Sequence, residues 1–429
     1  MMSEVLVLIL SFVILLAIGV PVAWSIGISC LLTMLASIDS LAAFTTVAQR
    51  MATGLDSFSL LAIPLFILAG QIMNQGGIAH RLIAFAKALM GALPGGLIYV
   101  NVIAAMLFGA ISGSAVAATS AIGGILGPPM EKEGYSKEFG AAVNITASTT
   151  GLVIPPSNVL IVYSLASGGV SIASLFLAGY LPGILMGLAL MLTAAIWIKK
   201  KNYPPGERSS LRNIMVTFLH AFPSLLLLVV VIGGIVTGIF TATEASGIAV
   251  LYTLILSFIN RELKISSLHN VFLGSVGTTA IVMLLIATSM SMSWVMSYEN
   301  IPIAVSEALL GISDNVFVIL LIINLLLLFV GTFMDMTPAV LIFTPIFLPV
   351  VVALGVDPVH FGIMMVMNLC VGLCSPPVGS VLFIGVSVAN TTIQKVIKPL
   401  LPLYVAMFIV LLLVTFIPQI SLWLPGLFE

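Results

Sequence analysis

Long apolar stretches without a charged residue dominate the chain and predict membrane-spanning helices. Residues 5–38, 88–130 and 139–198 contain no Asp, Glu, Lys or Arg. A span needs about 20 apolar residues, so the third stretch is long enough for about three spans. The strands of a membrane barrel would instead show short segments of alternating polarity. The pattern therefore predicts an all-α polytopic membrane protein.

A double proline interrupts this pattern twice, at matching points of the two halves. The first interruption reads GLVIPPSN over residues 151–158, and the second reads GLCSPPVG over residues 372–379. The separation of Pro155 from Pro376, called here the repeat offset, is close to half the length of the chain. Proline removes an N–H donor and cannot continue a helix. In lipid, the freed backbone groups are tolerated only where protein buries them or where they line a watery cavity. Paired breaks of this kind indicate the binding site of a secondary transporter.

Two further segments match at nearly the same offset. Residues 27–37 (GISCLLTMLAS) and 247–257 (GIAVLYTLILS) share five of eleven positions. This similarity supports an internal duplication. The number of spans in each half decides whether the repeats are inverted or parallel, and the sequence leaves that number open.

The duplication gives the expected domain boundaries. We expect a first repeat over residues 1–198, a linker over 199–218 and a second repeat over 219–429. Each repeat should combine scaffold helices with a re-entrant, broken helical hairpin. We expect these hairpins near residues 115–165 and 336–388.

Composition and charge narrow the class of protein. Hydrophobic residues make up 61% and charged residues 7% of the chain, whereas ordinary globular domains carry about 25% charge. We therefore expect membrane lipid as its environment. The net charge of −1 argues against nucleic acid as a partner. The three cysteines lie in apolar runs, are too few for a structural zinc site, and are expected to fill the core.

The basic residues orient the chain. Three lysines at 199–201 open the densest basic segment, which the positive-inside rule places in the cytoplasm. Residues 77–92 mix apolar and polar positions and predict an amphipathic helix at the membrane interface.

Polar residues gather beside the first break. Ser112-Gly113-Ser114 ends one apolar run, and NITASTTG over residues 144–151 leads into the double proline. Such residues either join helices by hydrogen bonds or line a site. The break favours a site, because unwound carbonyls can coordinate Na⁺ and the next helix N-terminus suits an anion.

An acidic residue occupies the matching place in the second half. Asp335, in GTFMDMTP over residues 331–338, follows Ser114 by the repeat offset and lies between long uncharged stretches. An acid inside the membrane indicates function, because burying it unpaired is expensive. Asp335 could also cap the helix that Pro338 opens, and the two roles are compatible. Glu244 is a second acid between apolar runs, and it could instead lie in an exposed turn.

Enzyme signatures are absent from the sequence. It has no HExxH, no phosphate-binding loop and no G-x-S-x-G motif. We therefore expect a protein that is not an enzyme, and any uphill transport must be driven by an ion gradient.

At these residues the chain resembles the large membrane subunit of tripartite ATP-independent periplasmic (TRAP) transporters, from about residue 10 to the end. The resemblance rests on motifs that occur in the family's order: Gly19-Val20-Pro21, Leu55-Asp56-Ser57-Phe58, residues 61–70 (LAIPLFILAG), residues 73–78 (MNQGGI), Ser112-Gly113-Ser114, Ile154-Pro155-Pro156-Ser157, residues 175–179 (LFLAG), Thr243-Glu244-Ala245, Asp335-Met336-Thr337-Pro338 and Ser375-Pro376-Pro377. Many members have Asp where this chain has Ala118, and Pro where it has Ala242.

The resemblance implies a fold, a function and partners. The fold is two inverted repeats with paired hairpins, working as an elevator-type transporter in the bacterial inner membrane. The function is Na⁺-coupled import of an organic anion such as a C4-dicarboxylate, a sugar acid or sialic acid. A periplasmic substrate-binding protein delivers the substrate, and a small membrane subunit, here a separate polypeptide, completes the scaffold. The implied Na⁺ ligands are Ser112, Ser114 and Gly151 for one site, and Asp335, Thr337, Gly372 and Ser375 for the other.

The substrate itself should be bound by neutral donors. No Lys or Arg occurs between residues 138 and 198 or between 265 and 394. Backbone N–H groups after the double prolines should therefore meet the carboxylate, helped by polar residues beside them. The expected substrate-binding residues are Ser157, Asn158, Thr149, Gly379 and Ser380.

Two other readings stay open. A self-sufficient Na⁺/anion symporter of the broader ion-transporter type would share the paired broken hairpins. An intramembrane enzyme or channel is a third class, although intramembrane acids are few and no catalytic pair is present. The sequence does not identify the anion.

Overall fold

The structure is a computed structural model that describes the whole chain except Met1, Gly76, Asn202, residues 204–205 and 207–208, Pro377 and Glu429. Part of the linker and the second proline of the second pair thus lie outside the described residues. The described residues form α-helices, two 3₁₀ turns and no strand. This confirms the all-helical prediction.

The helices of the first repeat have the following bounds: α1 Met2–Ala17, α2 Val22–Ser37, α3 Ser40–Gly54, α4 Ala62–Gln75, α5 Ile78–Met90, α6 Gly96–Ser112, α7 Ala115–Lys132, α8 Lys137–Thr150, α9 Asn158–Ala166 and α10 Ile172–Lys201. The helices of the second repeat follow: α11 Leu211–Val236, α12 Ala242–Ile259, α13 Ile265–Tyr298, α14 Ile301–Leu310, α15 Val316–Gly331, α16 Met336–Ala353, α17 Pro358–Leu373, α18 Ser380–Val388, α19 Ile393–Phe416 and α20 Gln419–Leu422.

The duplication is visible in the helix starts. Helices α15 to α19 follow α6 to α10 in the same order, and each begins at the repeat offset to within a single position. The long helix α13 takes the place of α3 and α4 together. Counting α3 with α4 and α8 with α9 as one pass each, the first repeat makes five passes: α1, α2, α3–α4, α8–α9 and α10. Helix α5 is not a pass, because Gly77 before it meets Glu262 and Gly91 after it meets Gly206, on the same side. Helices α6 and α7 form a hairpin that also returns to its own side. An odd number of passes leaves the second repeat inverted relative to the first.

Seven helical segments of the described chain are long and apolar enough to cross a membrane. They are Phe58–Gln75, Ile172–Lys200, Leu211–Val236, Ala242–Ile259, Ile265–Tyr298, Met336–Ala353 and Ile393–Phe416. The protein is therefore a multi-pass membrane protein.

The two repeats interlock around a pseudo-twofold axis. Helix α9 packs on α16, and its counterpart α18 packs on α7. Where α8 meets α17, Cys370 Sγ donates to the Thr149 carbonyl at 3.2 Å. These two residues are separated by the repeat offset, so the axis passes between them. Both are fully buried, and the cysteine fills the core as expected.

Basic residues gather on one face of the molecule, called here the basic face. Tyr203, just after the three lysines that end α10, stacks on Tyr135 of the α7–α8 turn. Arg81 of α5 pairs with Glu262 of the α12–α13 turn. On the opposite face, Ser37 at the end of α2 hydrogen-bonds to Glu299 at the end of α13.

Candidate functional site

The hairpins described here are α6–α7 and α15–α16, which begin before the regions near 115–165 and 336–388 and do not contain the double prolines of the two breaks. The α6–α7 hairpin turns tightly at Ser112, Gly113 and Ser114. Helix α6 ends at Ser112, and Gly113 follows in the left-handed region with φ 62°. A side chain there would be strained, and its Cβ would lie 2.9 Å from Asn158 Nδ2. Ser114 then begins α7, and its Oγ accepts a hydrogen bond from the Ala117 N–H at 3.2 Å.

The α15–α16 hairpin repeats this arrangement with an acid. Asp335 is the N-cap of α16, and its Oδ1 accepts from the Met336 N–H at 3.0 Å. The capping role considered for Asp335 is therefore present. It uses one carboxylate oxygen and leaves Oδ2 without a hydrogen bond to the described residues. Asp335 is exposed to a cavity, so the second oxygen can serve a ligand.

Each hairpin tip touches the helix break of its own repeat through glycines. A Cβ on Gly151 would lie 2.6 Å from the Gly109 Cα, and a Cβ on Gly372 would lie 2.7 Å from the Gly331 Cα. Real Cβ atoms do not approach so closely, so only glycine permits either contact. The backbone of each break is thereby held beside the last turn before each tip. Backbone oxygens and tip side chains in this arrangement are hard oxygen ligands of the kind that suit Na⁺.

Both tips face one cavity of about 260 Å³, called here the central cavity. It lies between the hairpins and the scaffold helices α4 and α13. Asp335 is the only charged residue in its described lining. The lining comprises Ile63, Ile67, Gly70, Gln71, Asn74, Ser112, Gly113, Ser114, Ala117, Asn158, Val159, Val162, Thr278, Val282, Asp335 and Thr337.

Five of the residues expected from the sequence meet at the central cavity: Ser112, Ser114, Asn158, Asp335 and Thr337. Gly151 and Gly372 lie behind it, at the glycine contacts. Ser375 lies outside the lining, and its Oγ donates to the Val371 carbonyl at 2.9 Å and bonds Tyr404 Oη at 3.0 Å.

Four expected substrate-binding residues do not line the central cavity. Thr149 is buried, donates to the Thr146 carbonyl at 2.9 Å, and lies 3.5 Å from Cys374 Sγ. Ser157 precedes α9 and Ser380 begins α18; both have hydroxyls that are buried without a partner among the described residues. At Gly379 a Cβ would lie 2.5 Å from the Leu373 carbonyl oxygen, so this glycine closes the second break.

The scaffold contributes residues that the sequence reasoning missed. Gln71 and Asn74 of α4 and Thr278 of α13 line the central cavity. Gly70 brings α4 against the first tip, because a Cβ there would lie 2.7 Å from the Ser112 carbonyl oxygen. The sequence does contain a signal for these residues: the amides Gln71 and Asn74 lie one turn apart, on one face of an otherwise apolar helix.

Glu244 has a structural explanation. It is the third residue of α12 and forms a capping box with Thr241. Its carboxylate accepts from the Thr241 N–H at 2.8 Å, and it is exposed. This is the exposed position that the sequence reading allowed.

Comparisons with known proteins agree with this architecture. The computed structure resembles the crystal structure of the Alcanivorax borkumensis YdaH transporter, with a TM-score of 0.66 and 14% identity over 90% of this chain and 89% of that chain. This likeness shows the fold.

Sequence relatives cover almost the whole chain. An uncharacterized protein YgiK of Salmonella typhimurium is 56% identical over 99% of this chain and 98% of its own length. The isethionate TRAP transporter permease protein DctMQ of Oleidesulfovibrio alaskensis is 43% identical over 97% of this chain and 65% of its own length. The C4-dicarboxylate TRAP transporter large permease protein DctM of Rhodobacter capsulatus is 39% identical over 95% of this chain and 96% of its own length.

A family model agrees with these relatives. Residues 9–420 match the family described as "Tripartite ATP-independent periplasmic transporter, DctM component". The chain therefore belongs to the DctM family, the large permease component of TRAP transporters.

Proposed function

We propose that the chain is the permease of a Na⁺-coupled importer that moves a small organic anion across the bacterial inner membrane. The observation that carries this proposal is the central cavity, where both hairpin tips and Asn158 face the polar residues of α4. Two of the relatives are named for isethionate and for C4-dicarboxylates. Both are small organic anions, which supports that substrate class.

The charge in the cavity gives Na⁺ a role in anion binding. Asp335 is the only charge in the described lining, and it would repel an anionic substrate. At an effective dielectric constant of about 20, two unit charges about 4 Å apart interact by about 4 kcal/mol. Na⁺ at Asp335, Thr337 and Gly372, and at Ser112, Ser114 and Gly151, would offset this repulsion. Na⁺ therefore binds before the anion in the proposed cycle.

Neutral donors then hold the substrate. Asn158 begins α9 directly after the first break, and its amide nitrogen faces the tip at Gly113. A helix N-terminus offers free N–H groups and partial positive charge to a carboxylate or sulfonate. Gln71 and Asn74 can add hydrogen bonds from the scaffold side.

The position of the cavity supports an elevator movement. Hairpins and broken helices form one side of it, and α4 and α13 form the other. Sliding the first group against the second would carry the hairpin tips and Asn158 along with the substrate and would break only its contacts to the scaffold residues Gln71 and Asn74. Helices α5 and α14, which connect the scaffold to the hairpins in the two repeats, would act as arms.

Partners follow from the family and from one relative. We expect a periplasmic substrate-binding protein to deliver the anion. The chain covers 65% of the relative named DctMQ, so that protein has additional length. We expect a separate small membrane subunit to supply the corresponding part here.

Uptake into liposomes tests the proposal. The chain is reconstituted with the small subunit, the binding protein is added outside, and labelled anions are supplied with and without an inward Na⁺ gradient. We expect saturable uptake that requires Na⁺ and the binding protein. Uptake that needs neither added protein would favour the self-sufficient symporter, and uptake independent of Na⁺ would contradict the coupling.

A further inference from the structure

A second cavity lies on the basic face, between helices of the first repeat and the end of α18 from the second repeat. It has a volume of about 130 Å³ and is lined by the α6–α7 hairpin, α8 and the end of α18, with the exposed ion pair of Glu131 and Lys137 at its rim. Asn101 of α6 and Asn144 of α8 line it and are only 1% and 3% exposed. The side-chain oxygen of each lacks a hydrogen-bond partner among the described residues. Because burying an unpartnered oxygen is costly, this cavity favours a polar or cationic occupant.

Further unpartnered oxygens lead inward from this cavity. Asn144 Nδ2 donates to the Thr119 carbonyl at 2.7 Å, so the two residues are in contact. Thr119 and Ser148 are fully buried, and neither hydroxyl has a partner among the described residues. Ser148 lies one helical turn after Asn144 and thus on the same face of α8.

The series ends at the first glycine contact. The Ser148 carbonyl oxygen lies 3.2 Å from where a Cβ of Gly109 would be, and Gly109 touches Gly151. Ser112 follows one turn after Gly109. From Asn144 to Gly151 the helix rises about 10 Å, at about 1.5 Å per residue. These oxygens therefore lie between the basic-face cavity and the expected Na⁺ site of the first repeat.

The second repeat lacks this series. The positions that correspond to Asn101, Thr119, Asn144 and Ser148 by the repeat offset are apolar: Ile322, Val340, Met365 and Leu369. Its own buried asparagines bond each other, with Asn368 Nδ2 donating to Asn324 Oδ1 at 2.8 Å, which leaves only Asn368 Oδ1 of this pair without a partner among the described residues. The same backbone architecture thus packs with apolar side chains at all four places. Packing alone therefore does not require polar side chains at these four positions of the first repeat.

We propose that Asn101, Thr119, Asn144 and Ser148, called here the polar file, are the route by which the coupling Na⁺ leaves the first repeat on the basic face. None of these four residues lines the central cavity, and the proposal rests on the Na⁺ coupling proposed above. Amide and hydroxyl oxygens are suitable ligands for a hard cation. Successive weak sites let an ion enter and leave, as conduction requires.

The test replaces residues of the polar file. Thr119 and Asn144 are replaced by the residues at the corresponding positions of the second repeat, and Ser148 is replaced by the smaller alanine. The variants are Thr119→Val, Asn144→Met and Ser148→Ala, each in the full chain with its small subunit. The matched control is Thr344→Val in α16, which removes a fully buried hydroxyl that bonds Met365 Sδ at 3.4 Å. Two quantities are measured: the rate of ²²Na⁺ release from preloaded protein, and the Na⁺ concentration for half-saturation at equilibrium.

We expect the file variants to slow ²²Na⁺ release at least tenfold and to leave half-saturation within about twofold. The melting temperatures of Thr119→Val and Ser148→Ala should not fall, because neither hydroxyl has a partner to lose among the described residues. These two variants decide the matter if Asn144→Met fails to fold. Thr344→Val should release Na⁺ at the wild-type rate.

Unaltered release in stable Thr119→Val and Ser148→Ala proteins would overturn the route while leaving Na⁺ coupling intact. Weaker equilibrium binding with an unchanged release rate would also overturn it, because the residues would then be ligands. If the wild-type protein binds no Na⁺ at all, the proposed function and the route fail together.

Discussion

Replacing Asp335 by asparagine isolates its charge from its capping role. Asp335 caps α16 through one oxygen, which accepts from the Met336 N–H at 3.0 Å. Asparagine caps helices about as well as aspartate, whereas alanine at a cap costs about 1 kcal/mol. Asp335→Asn should therefore keep the hairpin folded and remove only the negative charge.

The loss of that charge sets the size of the effect. A unit charge about 4 Å from a cation contributes about 4 kcal/mol at an effective dielectric constant of about 20. Part of this contribution is offset, because Na⁺ binding must remove water from the exposed carboxylate, a cost that the asparagine variant does not have. If about 1.4 kcal/mol or more remains, the Na⁺ concentration for half-maximal uptake should rise tenfold or more.

The assay compares two asparagine variants. Na⁺-dependent uptake and the Na⁺-induced rise in melting temperature are measured for Asp335→Asn and for Asp357→Asn. Asp357 is the control because it caps α17 by accepting from the Val359 N–H at 2.7 Å and lies outside the central cavity. Equal Na⁺ dependence in a folded Asp335→Asn protein and in the control would refute Asp335 as a Na⁺ ligand.

Three further predictions concern the substrate, the first break and the partner. Asn158→Ala should raise the substrate concentration for half-maximal uptake about tenfold or more, since a hydrogen bond to a charged group contributes roughly 1.5–3 kcal/mol; unchanged uptake kinetics in a stable variant would reject this contact. Gly151→Ala should lower stability by about 1–3 kcal/mol, because its Cβ would lie 2.6 Å from the Gly109 Cα, whereas Gly247→Ala has open space and should not; equal melting temperatures would contradict the close contact. Pull-down of the tagged chain from its native membrane should recover a small membrane protein, and full transport by the chain alone would contradict this.

The sequence was sufficient for features that repeat at a fixed spacing. The offset between the double prolines predicted two equivalent halves, and α16 and α17 begin at that same offset from α7 and α8. The same offset also relates Ser114 to Asp335, and the structure shows that these residues are the N-caps of α7 and α16. Such features are local in the chain and depend on proline, glycine and capping chemistry.

The scaffold side of the central cavity could not be predicted in this way. Gln71 and Thr278 belong to different repeats and meet only through tertiary packing. Thr149 shows the opposite case. It was expected at the substrate because hydroxyls cluster before the break, yet the structure turns it toward Cys374 of the other repeat. Local clustering does not show which face of a fully buried helix points to a cavity.

The most direct test of the central claim is an experimental structure of the chain with its small subunit, Na⁺ and an anion that supports uptake. The bound anion should lie in the central cavity, in contact with Asn158 and near the tip at Ser114, with Na⁺ beside Asp335. An anion bound elsewhere, or bound in the cavity with no cation at either hairpin tip, would contradict the claim.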